Sequence, residues 1–360
     1  MSSVWGEKLK ISLFGESHGT YIGAVLDGFP CGFSIDYDTI CAFMNRRKPS
    51  QLGTKRHEND QIQIISGLYN NKTDGSPITF LIKNTDAWKN ENEYLIARPS
   101  HIDFVSYSKF NGYNDVRGAG HLSGRLTAAV TAIGALCYQY LLSKNIVVGA
   151  HIKSIYNIID DNFDNVNVNS DILNNLKLQQ LPLLNHTIYS TIIDIVNQNM
   201  LDKDNIGGVI ECAAINLPLG LGEPFFYGLD SIIASLLFSI PAVKSVEFGS
   251  EDIDKQKASE VNDQFIQFDN NIKTSTNNSG GLNGGISNGM PLIVRVGFKP
   301  APTISRIQTG LNLKTMQTEE IIANTRNDTC IALRASPIVE SAVSIALVEA
   351  ILLNKTYNNK

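Results

Sequence analysis

Apolar and polar residues alternate through Lys10-Ile11-Ser12-Leu13 until the chain reaches Gly15-Glu16-Ser17-His18-Gly19. That pattern predicts a half-buried strand ending in a turn that presents polar groups. Beyond Gly28-Phe29-Pro30 the period changes. Ile40, Phe43 and Met44 fall on one side of a helix, with Pro49 as its stop. Residues 123–143 predict the clearest helix, since Val130, Ile133, Cys137 and Tyr140 recur at helical spacing and Ser123 can cap the start. A second clear helix begins at Ser336-Pro337, where proline suits a first turn, and continues through Val339, Val343, Ala346 and Leu347. Apolar runs at 292–298 and 331–333 predict strands. Asn, Asp and Ile dominate residues 156–205, but their apolar residues are too frequent for disorder, so this stretch reads as peripheral, turn-rich structure.

Two stretches resemble each other. Gly23-Ala24-Val25-Leu26-Asp27 followed by Phe29-Pro30-Cys31-Gly32 parallels Gly207-Gly208-Val209-Ile210-Glu211 followed by Leu217-Pro218-Leu219-Gly220. Each leads to a helix-like segment and then to a Gly-x-Pro step into an apolar strand, at Gly75-Ser76-Pro77 and Gly289-Met290-Pro291. Chance and an internal duplication are the alternatives. A duplication would give two interlocked α+β halves around a shared core.

Composition narrows the class. The 360 residues carry 30 Lys+Arg against 35 Asp+Glu, a net charge of −5, which argues against a general nucleic-acid binder. No apolar run reaches the roughly 20 residues of a membrane span. The start, Met1-Ser2-Ser3-Val4-Trp5, lacks the apolar stretch of a signal peptide. Cys31, Cys41, Cys137, Cys212 and Cys330 are scattered without a Cys-x-x-Cys, so neither a disulfide framework nor a metal site is expected. The expectation is a reduced, cytoplasmic globular protein with no membrane or nucleic-acid partner.

Glycine-rich segments carry the candidate chemistry. In Gly15-Glu16-Ser17-His18-Gly19 a histidine beside a hydroxyl suits proton transfer near neutral pH, and a capped turn is the alternative. Arg98-Pro99-Ser100-His101-Ile102-Asp103 sets a guanidinium and an imidazole on an extended backbone, suited to an oxyanion or phosphate; a surface loop is the alternative. Arg117-Gly118-Ala119-Gly120-His121-Leu122-Ser123-Gly124-Arg125 runs into a helix N-terminus, which favours an anion. It is neither a P-loop nor a dinucleotide fingerprint. The run 277–289 holds enough glycine to leave backbone groups open to a flat ligand, and Lys299-Pro300-Ala301-Pro302-Thr303 follows the next strand. Arg46-Arg47-Lys48 and Lys55-Arg56-His57 form a local basic patch. Arg326-Asn327-Asp328 reads as a local ion pair or as a catalytic carboxylate in a cationic pocket.

Taken in order, Gly-Glu-Ser-His-Gly, Asn-Arg-Arg-Lys-Pro, Arg-Pro-Ser-His, Arg-Gly-Ala-Gly-His-Leu-Ser-Gly-Arg, Gly-Gly-Ile-Ser-Asn-Gly-Met-Pro, Lys-Pro-Ala-Pro-Thr and Arg-Asn-Asp-Thr-Cys resemble the signature set of the chorismate synthases. The resemblance spans residues 6 to about 350, is weakest in the Asn-rich middle, and implies one domain over residues 1–360. It implies an α+β fold with helices sandwiched between antiparallel sheets, usually assembled as a homotetramer. The family eliminates phosphate from 5-enolpyruvylshikimate 3-phosphate to give chorismate, the last common step of the shikimate pathway, and requires reduced FMN. By that resemblance His18 sits near the flavin, His101 is the acid for the leaving phosphate, and Asp328 assists proton removal. Ser17, Arg47, Arg98, Arg125 and Arg326 meet the substrate. His121, Ser123, Gly284, Lys299, Pro300, Ala301, Pro302, Thr303 and Arg326 line the FMN.

Some positions depart from the family pattern. Ala119 stands where glycine is usual, His121 replaces an arginine common in many members, and Asn283 replaces an apolar residue. After Pro49 the loop is shorter and uncharged over Ser50-Gln51-Leu52-Gly53, where a basic residue is usual, and whether Lys55 or Arg56 takes its place is open. With no appended reductase segment, an external flavin reductase is the expected partner, with NADPH a candidate source of reducing equivalents. A flavin-binding electron carrier without lyase activity and a phosphate-binding module are the competing readings.

Overall fold

The computed structural model describes residues 3–48, 59–87, 96–268, 271–323 and 328–358. Alternation builds the first sheet from β1 (Val4–Trp5), β2 (Lys10–Gly15) and β3 (Tyr21–Asp27). Helix α1 (Tyr37–Arg47) follows, capped by Asp36, and buries Ile40, Phe43 and Met44 as the spacing predicts. Strands β4 (Ile62–Ser66) and β5 (Ile78–Lys83) complete the antiparallel order β1-β2-β3-β5-β4, and α2 (Thr127–Leu142) packs against it. The second half begins with β6 (Val147–Ile155), β7 (Ile158–Ile159) and β8 (Gly208–Ile215). Helix α3 (Leu229–Ser239), strands β9 (Val243–Phe248) and β10 (Leu292–Phe298), and helix α4 (Ser336–Asn358) follow. The second sheet is ordered β7-β6-β8-β10-β9, again antiparallel.

The two halves repeat. Elements β2-β3-α1-β4-β5-α2 are followed by β6-β8-α3-β9-β10-α4, and the sheet orders β2-β3-β5-β4 and β6-β8-β10-β9 correspond. The paired Gly and Pro stretches lie at matching places, so the duplication alternative is the one the topology supports. The helices lie between the sheets: α2 packs on β3, β5 and β6, while α4 packs on β6 and β8. Where α2 crosses α4, a Cβ on Gly134 would stand 2.1 Å from the Ser341 Cβ, so only glycine permits the approach. Buried Glu340 on α4 takes a bidentate pair from Arg46 on α1, at 2.6 and 2.7 Å, and the Ala150 amide of β6 at 3.0 Å. One carboxylate thus ties both halves to the central helix.

Two expectations change. The helix expected over 123–143 starts at Thr127, because Ser123 caps a tighter 3₁₀ turn at Gly124–Leu126 first. Residues 331–333 belong to a 3₁₀ turn, Ile331–Arg334, not a strand; three apolar residues have no readable period. Residues Ser336–Asn354 have mean hydropathy 1.8 and are long and apolar enough to cross a bilayer, although no unbroken run is; 89% of that stretch is buried inside the fold.

The Asn-rich middle is also more ordered than turn-rich, with helices at Ser170–Leu178 and Tyr189–Leu201. It covers the outer face of the second sheet, where Phe163, Val168, Leu173 and Leu176 pack on Val147, Ala213, Ile215 and Ile293. Beneath it lies a charged ladder. His151 on β6 opposes Glu211 on β8, which opposes Arg295 on β10. The fully buried imidazole contacts Asp160 through Nδ1 at 3.1 Å and Glu211 through Nε2 at 3.0 Å, so in its charged form it donates to both. Burial opposes that charge, but the bonds to Asp160 and Glu211 outweigh it and raise the pKa of His151 above 6.5. Burial likewise opposes ionisation of Asp160 and Glu211, and the bonds with His151 outweigh it, lowering both.

The sign follows from linkage. The contribution of His151 is complete below 6.5 and fades as pH rises through its higher folded value. That of the carboxylates is complete above 3.8 and 4.5 and fades as pH falls through their lower folded values. His151→Phe should therefore lower the unfolding free energy by about 3–5 kcal/mol, the loss expected when one partner leaves a buried ion pair. The deficit should be greatest between pH 4.5 and 6.5. Denaturant unfolding of both proteins across pH checks this; a deficit independent of pH would mean a neutral imidazole.

Candidate active site

Strand pairing delivers the first cluster. Residues Ile96–Ala97 pair with Ile307–Asn312, and Arg98 follows directly. Arg98-Pro99-Ser100-His101 closes a tight turn, with the His101 amide donating to the Arg98 carbonyl at 3.2 Å and Ser100 held at φ +55. That turn brings the imidazole back beside the guanidinium. Arg98 donates to Asp103 from Nε at 2.7 Å and from a terminal nitrogen at 2.8 Å, to the Gly118 carbonyl at 2.9 Å, and to Thr303 Oγ1 at 3.4 Å. Burial opposes ionisation of Asp103, but Arg98 and His101 hold its carboxyl far below the usual range. Lys299 donates to the Ser100 carbonyl at 3.3 Å. Asn205 fixes the 299–303 loop by donating to the carbonyls of Ala301 and Thr303 at 2.8 and 3.0 Å.

His18 and Ser17 join this wall through Gly118. The Ser17 amide donates to the Gly120 carbonyl at 3.0 Å. Gly118 has φ +65, and a Cβ there would lie 3.1 Å from the His18 ring and 3.2 Å from Ser17 Oγ. His121 is fastened at the same place: its Nδ1 donates to the Gly15 carbonyl at 2.8 Å, so Nε2 accepts from Ser3 at 2.7 Å when the ring is neutral. The two nitrogens of His121 therefore hold the loop to the end of β2 and to the residue before β1.

A second cluster lies at the other end of the same loop. Arg47, only 3% exposed, and Arg125 share the Asp60 carboxylate, one on each oxygen, and Arg47 also donates to Thr127 and to the Gly124 and Arg125 carbonyls. Burial pushes the Arg47 guanidinium down to about 9 despite Asp60, and Arg334 and Arg125 push the same way. Arg125 donates to Asn84 Oδ1 at 2.9 Å, and Asn84 donates to the Glu16 and Gly19 carbonyls, which links this cluster to the His18 turn. Asp328 takes two bonds from Arg334 on one oxygen, at 2.5 and 3.1 Å, while Arg334 also donates to the Arg47 carbonyl. Ser123 accepts from the Arg125 amide at 3.2 Å.

The structure thus joins Ser17, His18, Arg98, His101, Lys299 and Thr303 in one wall, and Arg47, Arg125 and Asp328 in the next. Gly284 stands apart from both. With Gly285 it forms the turn of a hairpin between Leu282–Asn283 and Ile286–Ser287, at φ +60 and +78, beside the start of α3. Arg326, Asn327, Pro49 and the stretch from Ser50 through Arg56 lie outside the described residues. Asp60, Asn84, Asp103, Thr127 and Arg334 take part without having been assigned from sequence. Only Asp103 had a signal, its place two residues after His101.

A duplicated α+β sandwich with imidazoles and guanidiniums converging on glycine-rich loops defines an enzyme that handles an anionic small molecule. A model of the chorismate synthase family matches residues 9–352. Chorismate synthases of Dehalococcoides mccartyi and Methanobrevibacter smithii are each 38% identical, over 98% and 97% of this chain and 97% and 96% of their own. A crystal structure of chorismate synthase superposes with a TM-score of 0.76 at 27% identity, covering 97% of this chain and 93% of the other. The chain belongs to the chorismate synthase family, and with it to the phosphate lyases of aromatic biosynthesis.

Gly118→Ala tests whether this loop places His18. The new methyl meets both a left-handed backbone and the imidazole, so the ring must shift. Turnover should fall on the order of 100-fold with the fold retained, the scale of an ångström-sized misplacement. Unchanged turnover at unchanged melting temperature would show that the position of His18 does not matter.

Proposed function

We propose that the chain eliminates phosphate from 5-enolpyruvylshikimate 3-phosphate to give chorismate, an anti-1,4-elimination that requires reduced FMN. The observation that carries this reading is His101 held between Asp103 and Arg98, beside Lys299 and Thr303. A leaving phosphate needs a proton donor and fixed cations together. His101 gives the proton to the departing phosphate oxygen through Nε2, which makes no hydrogen bond among the described residues. Arg98 and Lys299 hold the phosphate; Arg47, Arg125 and Arg326, with Ser17, hold the remaining anionic groups. Asp328 assists removal of the ring hydrogen through Oδ1, since Arg334 occupies Oδ2.

The residues present fit a flat anionic cofactor. A Cβ on Gly284 or Gly289 would meet nothing within 4 Å, so these backbone faces are open. His121, Ser123, Gly284, the run Lys299 to Thr303 and Arg326 would hold the FMN, with His18 beside its ring. Reduced FMN supplies electron density that is returned, leaving no net redox change. The enzyme works in the cytoplasm as a homotetramer, one domain per chain, and takes reducing equivalents originating in NADPH through an external flavin reductase.

The direct test is anaerobic turnover of the substrate with reduced FMN. Chorismate should appear; a folded, FMN-loaded protein that forms none would overturn the reading. His101→Ala should keep FMN and substrate binding and lose turnover by roughly 100-fold or more. Asp328→Asn should also spare flavin affinity, and a collapse of that affinity would make Asp328 structural instead.

A further inference from the structure

We propose that Asp103 is the positioning residue for His101, fixing which ring nitrogen carries the transferable proton and aiming it by a shared clasp on Arg98. The proposal rests on His101 being the acid and goes on to say what makes it one. The bond lengths decide the tautomer. His101 Nδ1 lies 2.6 Å from Asp103 Oδ1 and 3.0 Å from a terminal nitrogen of Arg98. A guanidinium only donates and an ionised carboxylate only accepts, so Nδ1 cannot bond to both. Asp103 is held ionised by Arg98 and His101. Nδ1 therefore carries a proton and donates it to Asp103, at a length typical of a charge-assisted bond. The nearby Arg98 nitrogen donates instead to Asp103 Oδ1 at 2.8 Å and to the Gly118 carbonyl at 2.9 Å.

Two consequences follow for the chemistry. With Nδ1–H committed, only Nε2 can give and recover a proton during turnover, so the acid has one direction of action. The carboxylate also fixes the ring plane, because the same Oδ1 is shared with Arg98, and the other oxygen accepts from the Arg98 amide at 3.0 Å and Nε at 2.7 Å. The turn at Ser100, with φ +55, closes the geometry from the backbone side. Asp103 thus sets acid and phosphate-binding cation in one frame, by the same logic by which a carboxylate orients a catalytic imidazole elsewhere.

A double-mutant cycle separates this from a structural role. In the parent enzyme Asp103→Asn should lower kcat by roughly 10- to 100-fold, the usual range for a supporting carboxylate. It should also raise KM, because Arg98 loses its clasp. In a His101→Ala background the same change should still raise KM but lower kcat by no more than about 2-fold, since the residue it acts through is gone. An equal kcat loss in both backgrounds would mean that Asp103 acts on the fold or on Arg98 alone, and the proposal fails. If His101→Ala itself leaves kcat intact, the acid assignment falls first and the positioning role with it. Should Asp103→Asn not fold, nitrogen-15 NMR of the neutral His101 ring in the unmodified protein decides. A proton on Nδ1 supports the proposal, and a proton on Nε2 overturns it.

Discussion

The cluster of Arg47, Arg125 and Asp328 hangs on the contact of α2 with α4 at Gly134 and Ser341. Helix α2 begins at Thr127 and α4 at Ser336, and both starts lie beside Arg47: Thr127 accepts from its guanidinium, while Arg334, just before α4, donates to its carbonyl. The crossing sits within two turns of each start, roughly 10 Å along the axis at 1.5 Å per residue. A contact in which only the small Ser341 side chain separates the backbones leaves little freedom to slide. The loops carrying Arg125 and Asp328 therefore leave rigid posts whose separation is fixed inside the core.

The polar wall is built from loops, yet it is anchored at the ends of such posts. Arg98 follows a strand, His18 follows β2, Lys299 follows β10, and Arg47 closes α1. The loop from Arg117 to Leu126 runs between them, its Gly118 end against His18 and its Arg125 end against Asp60. The imidazoles of His18 and His101 gather at one end, and the buried guanidiniums of Arg47 and Arg125 at the other. A guanidinium gains most as an anion anchor where water is scarce, which suits the buried end.

What the sequence made legible were features with local causes. Helix α1, the start of α4 and strand β10 all matched, because periodicity, capping and proline placement act within a few residues. The Gly and Pro pairs pointed to the duplication because each marks a turn that the shared topology requires twice. What escaped notice depends on distant partners. Asp60 meets Arg125 across 65 positions, and Asn84 meets it across 41; no spacing rule encodes either. The 331–333 run misled because three apolar residues suit a buried 3₁₀ turn as well as a strand.

Net charge makes the same point about scale. A chain at −5 nevertheless buries Arg47 and Arg125 around a single carboxylate, Asp60, which is itself 4% exposed and sits at φ +48. Two guanidiniums brought this close in a poorly hydrated site repel each other strongly unless an anion lies between them. Asp60 supplies that anion on a strained backbone, and the strain suggests a conformation set by the bridge rather than by local preference. The lowered pKa of Arg47 shows the remaining imbalance: burial and the flanking cations Arg334 and Arg125 outweigh Asp60. A site in this condition is stabilised further by an incoming anion, which gains from cations whose desolvation was met during folding. The acidic surface and the cationic wall thus do not conflict, since solvent screens the first and burial preserves the second.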